Sequence, residues 1–239
     1  MALGHQKNGK KKLMKVNKNF KIFIACDTTS LKKVKKILKE TKNTNLNIGY
    51  KFGLEFINSK NGRKFISTLK NKILFGDYKF ADIPKTCSSA IKAVRDLKFN
   101  YLTIHISSGF EALKAAKKAS GKTKLVGVTI LTSLDHKAVR EIGFNKGVKE
   151  LVLNQARLAN KAKLDAIVCS AQEVKIVKKV FNKEIITPGI RLSPNSDDQK
   201  RVLTPKEAYR NGADWLVIGR EITKGNLRKN IQKLIDHLN

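Results

Sequence analysis

Residues 22–53 read IFIACDTTSLKKVKKILKETKNTNLNIGYKFG. The apolar run Ile22–Asp27 has the length and bulk of a buried strand. Leu31, Val34, Ile37 and Leu38 then recur at helical spacing, and Leu46–Gly53 is a second apolar and aromatic run. This strand–helix–strand unit repeats along the chain. Phe65, Ile66 and Leu69 mark a second helix, and Ile73–Phe80 a third strand. Ala90, Ile91 and Val94 continue as helix into the strand Tyr101–Ile106, the helix Glu111–Ala119 and the strand Leu125–Leu131. Ser133–Leu164 is helical throughout its pattern and predicts two helices broken near Gly143–Gly147. Ala166–Ser170, a helix over Gln172–Phe181 and Glu184–Ile190 follow. Arg191–Leu203 is polar, contains Pro194 and reads as a long loop. Thr204 then stands at an N-cap with Pro205 at the first helical position. Trp215–Gly219 is the eighth strand and Leu227–Leu238 the closing helix.

Eight strands, each followed by a helix, predict an α/β fold of the (β/α)8 TIM-barrel type, and 239 residues suit one such barrel. The competing arrangement is an open doubly wound sheet. No GxGxxG follows the first strand and no GxxxxGK[ST] occurs, so neither common nucleotide signature supports it. Composition marks no second domain within 22–239. Residues 1–21 carry seven Lys and no acidic residue, which predicts a disordered basic tail.

No apolar run approaches the roughly 18 residues of a membrane span, and the N-terminus lacks a secretory h-region, so a cytoplasmic protein is expected. Cys26, Cys87 and Cys169 are odd in number and widely spaced, which predicts buried, reduced thiols and no zinc site. The net charge of +31 raises nucleic acid as a partner, but it comes from 41 Lys and only 9 Arg. Arg is the residue of bidentate phosphate and base contacts. A Lys excess spread over helices such as Leu31–Thr41 and Ala112–Ala119 reads as solvated helix faces, and nucleic-acid binding is not expected.

In a barrel, functional groups gather at the C-terminal ends of the strands. The polar residues there are Asp27, Lys51, Asp77, Lys79, Asp82, His105, Thr132, Ser133, Arg191 and Arg220. The period of a strand turns Asp77 and Lys79 to one side, the barrel interior. Charges in that place are costly unless paired. An ion network that only fixes the fold is one reading. Its concentration on one strand at the catalytic face favours a site. TPGIR at 187–191, SPNSDDQKR at 193–201 and the region of Gly219 and Arg220 follow strands seven and eight, where barrels bind phosphate. His105 reads as a hydrogen-bonded structural residue.

FGDYKFADIPKT (75–86) resembles the Asp-x-Lys-x-x-Asp signature of the orotidine 5′-monophosphate decarboxylase family. IACD (24–27), YKFG (50–53), TILTS (129–133), VCSAQE (168–173), TPGIR, DQKRVLTP (198–205) and VIGREIT (217–223) resemble the family's segments in the family's order, and its bacterial branch. The resemblance implies conversion of orotidine 5′-monophosphate (OMP) to uridine 5′-monophosphate (UMP) and carbon dioxide, without metal or organic cofactor. It assigns Lys51, Asp77, Lys79 and Asp82 to an alternating charged array with Lys79 as proton donor. By the same resemblance Asp77 lies beside the substrate carboxylate, and Lys51 and Asp27 hold ribose hydroxyls. Thr132 and Ser133 contact the pyrimidine, Gln199 bridges base and phosphate, and Arg191, Gly219 and Arg220 form the phosphate region. Asp82 and Thr86 match residues that reach into a neighbouring subunit's site, which implies a homodimer. Ala81 and Lys85 depart from the bacterial pattern of His and of Asn or Thr, but neither belongs to the array. Metal-dependent sugar-phosphate relatives share Asp-x-Lys-x-x-Asp but usually carry Glu where Lys51 stands and use Mg²⁺.

Overall fold

The computed structural model describes residues 20–42, 44, 46–192 and 203–238. Its centre is a closed barrel of eight parallel strands in sequence order. They are β1 (Lys21–Ala25), β2 (Asn47–Gly53), β3 (Ile73–Phe80), β4 (Tyr101–His105), β5 (Lys124–Val128), β6 (Ala166–Val168), β7 (Glu184–Thr187) and β8 (Trp215–Ile218), and β8 closes on β1 through Ile22↔Leu216 and Ile24↔Ile218. The barrel predicted from the alternation of strands and helices is thus the observed fold, and the open sheet is not.

The helices form the outer ring because each buries one stripe and exposes the rest. Leu31–Glu40 buries Val34 and Ile37 and turns Lys32, Lys33, Lys35, Lys36 and Lys39 to solvent. Ser30 starts it, its hydroxyl accepting from the Lys33 N–H at 3.3 Å. The pattern over 133–164 resolves into His136–Glu141 and Val148–Lys161, with Gly143 at φ +92° between them. Thr204 and Pro205 open the helix Pro205–Arg210 as expected, and Glu207 completes a reciprocal cap with Thr204. Phe20 and Lys21, assigned to the tail, belong to the barrel: the Phe20 ring packs 4.8 Å from that of Tyr209, and Lys21 opens β1. The rest of the predicted tail lies outside the described residues, as do 193–202 of the predicted loop. The two ends of that loop stand side by side, joined by a parallel bridge between Ile190 and Leu203. Among the described residues no helix is long and apolar enough to cross a membrane.

Two cores result. One lies between strands and helices. The other fills the barrel with Phe23, Ala25, Phe75, Tyr101, Val126, Ala166, Ile186, Trp215 and Val217. Phe23 is its hub, stacked on Trp215 with centroids 4.1 Å apart and tilted against Phe75 at 4.9 Å. Its register partner on β2 is Gly49, where a Cβ would lie 2.6 Å from the Phe23 ring. Glycine there is the space that the aromatic floor needs. Gly49→Ala should therefore overpack the interior and cost roughly 1–3 kcal/mol. A thermal melt equal to that of the parent would refute this packing argument.

Candidate active site

Above the aromatic floor the interior turns polar. β1, β2 and β3 deliver Asp27, Lys51, Asp77 and Lys79 to one end of the barrel. The Lys51 ammonium lies 2.9 Å from Asp27 Oδ1 and 3.3 Å from Asp77 Oδ2, and Lys79 Nζ lies 2.8 Å from the same Asp77 oxygen. Lys51 and Asp77 are buried, Lys79 is one-third exposed and Asp27 half exposed. The array therefore opens outward at both ends. Gly53 closes the second strand, and a Cβ there would stand 2.9 Å from Asp27 Oδ1 and 3.2 Å from Lys51 Nζ. The missing side chain leaves room for that ion pair.

Burial alone would raise the Asp77 carboxyl, but the Lys51 and Lys79 ammoniums override it and hold the group below its ordinary value. Burial likewise pulls the Lys51 ammonium down, and the Asp77 and Asp27 carboxylates outweigh it and hold the ammonium above its ordinary value. Both groups are thus kept charged. His105 ends β4 half-buried; burial, reinforced by Lys79, pushes its imidazole down, towards the neutral form. The three cysteines are buried and in no disulfide, and burial, helped by Asp27, pushes the Cys26 thiol up to about 12.

The array forms one wall of a cavity of about 520 Å³. Thr132 and Ser133 line it from the segment after β5, Arg191 from the segment after β7, and Gly219 and Arg220 from the end of β8. Arg191 is buried and its Nε lies 3.7 Å from Glu221 Oε1. The structure thus brings together nine predicted residues: Asp27, Lys51, Asp77, Lys79, Thr132, Ser133, Arg191, Gly219 and Arg220. Asp82 and Thr86 are not among them. Both are exposed on the rim, and the Asp82 carboxylate accepts from the Ile83 N–H at 2.7 Å. Gln199 lies outside the described residues.

Sequence reading missed the apolar half of the cavity, Val128, Ile130, Val168 and Cys169, which looks like ordinary strand core. It also missed Thr103. This residue is wholly buried and its hydroxyl donates to Asp77 Oδ1 at 3.2 Å. The available signal was its place two residues before His105, the interior phase of β4.

The lowered Asp77 value sets the pH dependence of the array. Stability from its ion pairs is present above the ordinary carboxylate range and is lost as pH falls through the lowered value. Lys51 behaves oppositely, its contribution vanishing as pH rises through the raised value. Asp77→Asn should cost roughly 3–5 kcal/mol at neutral pH, because two ammoniums lose their shared carboxylate. The variant should also lose part of the acid limb seen in melts of the parent. Parallel acid limbs for the two proteins would contradict the assignment.

The chain is similar to known proteins over most of its length. An orotidine 5′-phosphate decarboxylase of Wolbachia sp. subsp. Brugia malayi is 43% identical over 190 residues, covering 77% of this chain and 84% of its own. One from Prochlorococcus marinus (strain MIT 9215) is 41% identical over 228 residues, covering 87% and 93%. The crystal structure of orotidine 5′-phosphate decarboxylase from Lactobacillus acidophilus superimposes with a TM-score of 0.78 at 28% identity, over 92% of this chain and 99% of that one. The model of the orotidine 5′-phosphate decarboxylase / HUMPS family matches residues 21–233, and the chain belongs to that family.

Proposed function

We propose that the chain is a carboxy-lyase that converts OMP to UMP and carbon dioxide, the last step of de novo pyrimidine nucleotide synthesis, by direct metal-free decarboxylation. One observation carries the choice within the family. The Lys51 ammonium lies within 3.3 Å of both the Asp27 and the Asp77 carboxylates. A divalent ion between those carboxylates would have to displace a buried ammonium that is held charged.

The chemistry follows from the charges. Breaking the bond to the carboxylate carbon leaves an electron pair on a ring carbon with little delocalisation. A fixed ammonium aimed at that carbon stabilises the developing negative charge. Lys79 fits this role, because its side chain is one-third exposed and lines the cavity. It then gives its proton to the carbon, and solvent restores the ammonium. Asp77 stands beside the departing carboxylate and, by pairing with Lys79, keeps that side chain in place. Asp27 and Lys51 hold the ribose hydroxyls, Thr132 and Ser133 meet the pyrimidine, and Arg191, Gly219 and Arg220 take the phosphate, with Gln199 bridging base and phosphate. Phosphate binding far from the reacting carbon supplies binding energy that can be used at the reacting end.

The exposed rim supports a homodimer in which Asp82 and Thr86 serve the neighbouring subunit's site. Ile83, between them in sequence, is 65% exposed, and Leu54 at the end of β2 is 50% exposed. Burying large apolar side chains that otherwise face water would favour such a contact.

Lys79→Ala should abolish turnover of OMP, followed by the loss of its absorbance, while leaving a folded protein. Near-normal turnover would end the proposal. Activity of the parent should survive EDTA, and its disappearance on chelation, with restoration by Mg²⁺, would favour the metal-dependent branch. Arg220→Ala should depress kcat/KM strongly; an unchanged value would remove Arg220 from the phosphate site.

A further inference from the structure

The pairing of β3 with β4 is irregular at the array. Gly76 pairs with Leu102 and Phe80 with Ile104, so four steps along β3 match two along β4. The chain between them bulges, and Lys79 sits at φ +52°, the left-handed region. Side chains with a Cβ enter that region only when something holds them there. A bulged residue also loses its ladder partner, so its N–H needs another acceptor.

Thr103 on β4 supplies it. The Lys79 N–H donates to Thr103 Oγ1 at 2.7 Å, and the same hydroxyl lies 3.2 Å from Asp77 Oδ1. A hydroxyl has one proton. With the N–H on its lone pair, that proton points to the carboxylate. One wholly buried side chain therefore ties the backbone of Lys79 to the carboxylate of Asp77, whose other oxygen holds the Lys79 ammonium at 2.8 Å. The result is a closed loop: Lys79 backbone, Thr103 hydroxyl, Asp77 carboxylate, Lys79 ammonium. We propose that Thr103 is a positioning residue for decarboxylation, fixing the bulge that aims the Lys79 ammonium. This rests on the decarboxylase reading given above, in which Lys79 is the proton donor.

Thr103→Val keeps the shape and deletes the hydroxyl, Thr103→Ser keeps the hydroxyl, and Thr103→Cys keeps the approximate volume with a weak donor. The measurements are kcat, KM for OMP and the thermal melt of each protein beside the parent. For Val, kcat should fall about ten- to a hundredfold with KM changed by less than about threefold, since a small misaim acts on the reacting step more than on binding. Ser should return kcat to within a few-fold of the parent, and Cys should fall between. Thr103→Val with parental kcat and a lowered melt would make the hydroxyl structural only. If Ser fails as Val does, the methyl group and not the hydroxyl is what matters, and the proposal is overturned. Should Val not fold, Cys decides: parental kcat in that variant overturns the proposal. A parent without OMP decarboxylation would overturn the functional reading itself, a result distinct from any of these.

Discussion

Everything at the open end of the barrel depends on keeping the Asp77 carboxylate charged while it is buried. Left alone it would take up a proton. It remains an anion because Oδ2 is shared by Lys79 at 2.8 Å and Lys51 at 3.3 Å, while Oδ1 faces the Thr103 hydroxyl at 3.2 Å. Lys51 is satisfied in turn by Asp27. Two ammoniums thus balance two carboxylates, and the array is close to neutral as a unit. Such networks seldom stabilise a fold better than apolar side chains of the same volume would. Buried pairing alone therefore gives no reason for four ionic side chains where Val and Leu could fill the barrel. The reaction proposed above, which develops negative charge beside Lys79, would give one.

The rest of the interior keeps that array in place. Phe23, Phe75, Tyr101 and Trp215 form a rigid floor beneath it. Below the floor Glu184 ties β7 to β4 and β5, accepting from Tyr101 at 3.0 Å and Lys124 at 2.9 Å. Parallel register does the remaining positioning. Lys51 stands opposite Ala25 on one side and Phe75 on the other, and Gly53 stands opposite Asp77. Lys51 and Asp77 are therefore set by ladders that continue down into a packed core, and side-chain freedom is small where aim matters.

The helical and strand periods made the barrel legible, since each element buries one face and the pattern repeats eight times. Strand ends were less so. β5 stops at Val128 and β7 at Thr187, short of the apolar runs that predicted them, because Ile130, Leu131, Pro188 and Gly189 turn to line the cavity instead of pairing. Apolarity records burial and does not say against what. The meeting of Asp77 and Lys79 was also legible, but the two-residue period behind that expectation does not hold there. The backbone bulges at Lys79, and the side chains meet through the bulge. A non-glycine residue at positive φ leaves no mark in sequence, and neither does the Thr103 hydroxyl that satisfies it. Asp82, one of the polar residues expected at the strand ends, is exposed two residues before the helix that begins at Pro84.

The excess of positive charge takes on a simpler meaning beside a neutral array. Among the described residues most lysines are exposed, as Lys32, Lys33, Lys35, Lys36 and Lys39 are on the outer ring. Such charges are screened within about 10 Å at moderate ionic strength, so they contribute little to any single contact inside the barrel. Their summed field still favours an anionic ligand approaching the molecule. OMP carries both a phosphate and a carboxylate. A cationic exterior draws it in without selecting it, and Arg191 and Arg220 lie in the cavity wall where a phosphate would need matched donors. In the proposed reaction discrimination then falls to the array, where the second anion would settle beside Asp77 and within reach of Lys79. On that reading a ligand with only a phosphate would satisfy the arginines and leave Lys79 with Asp77 alone to pair with.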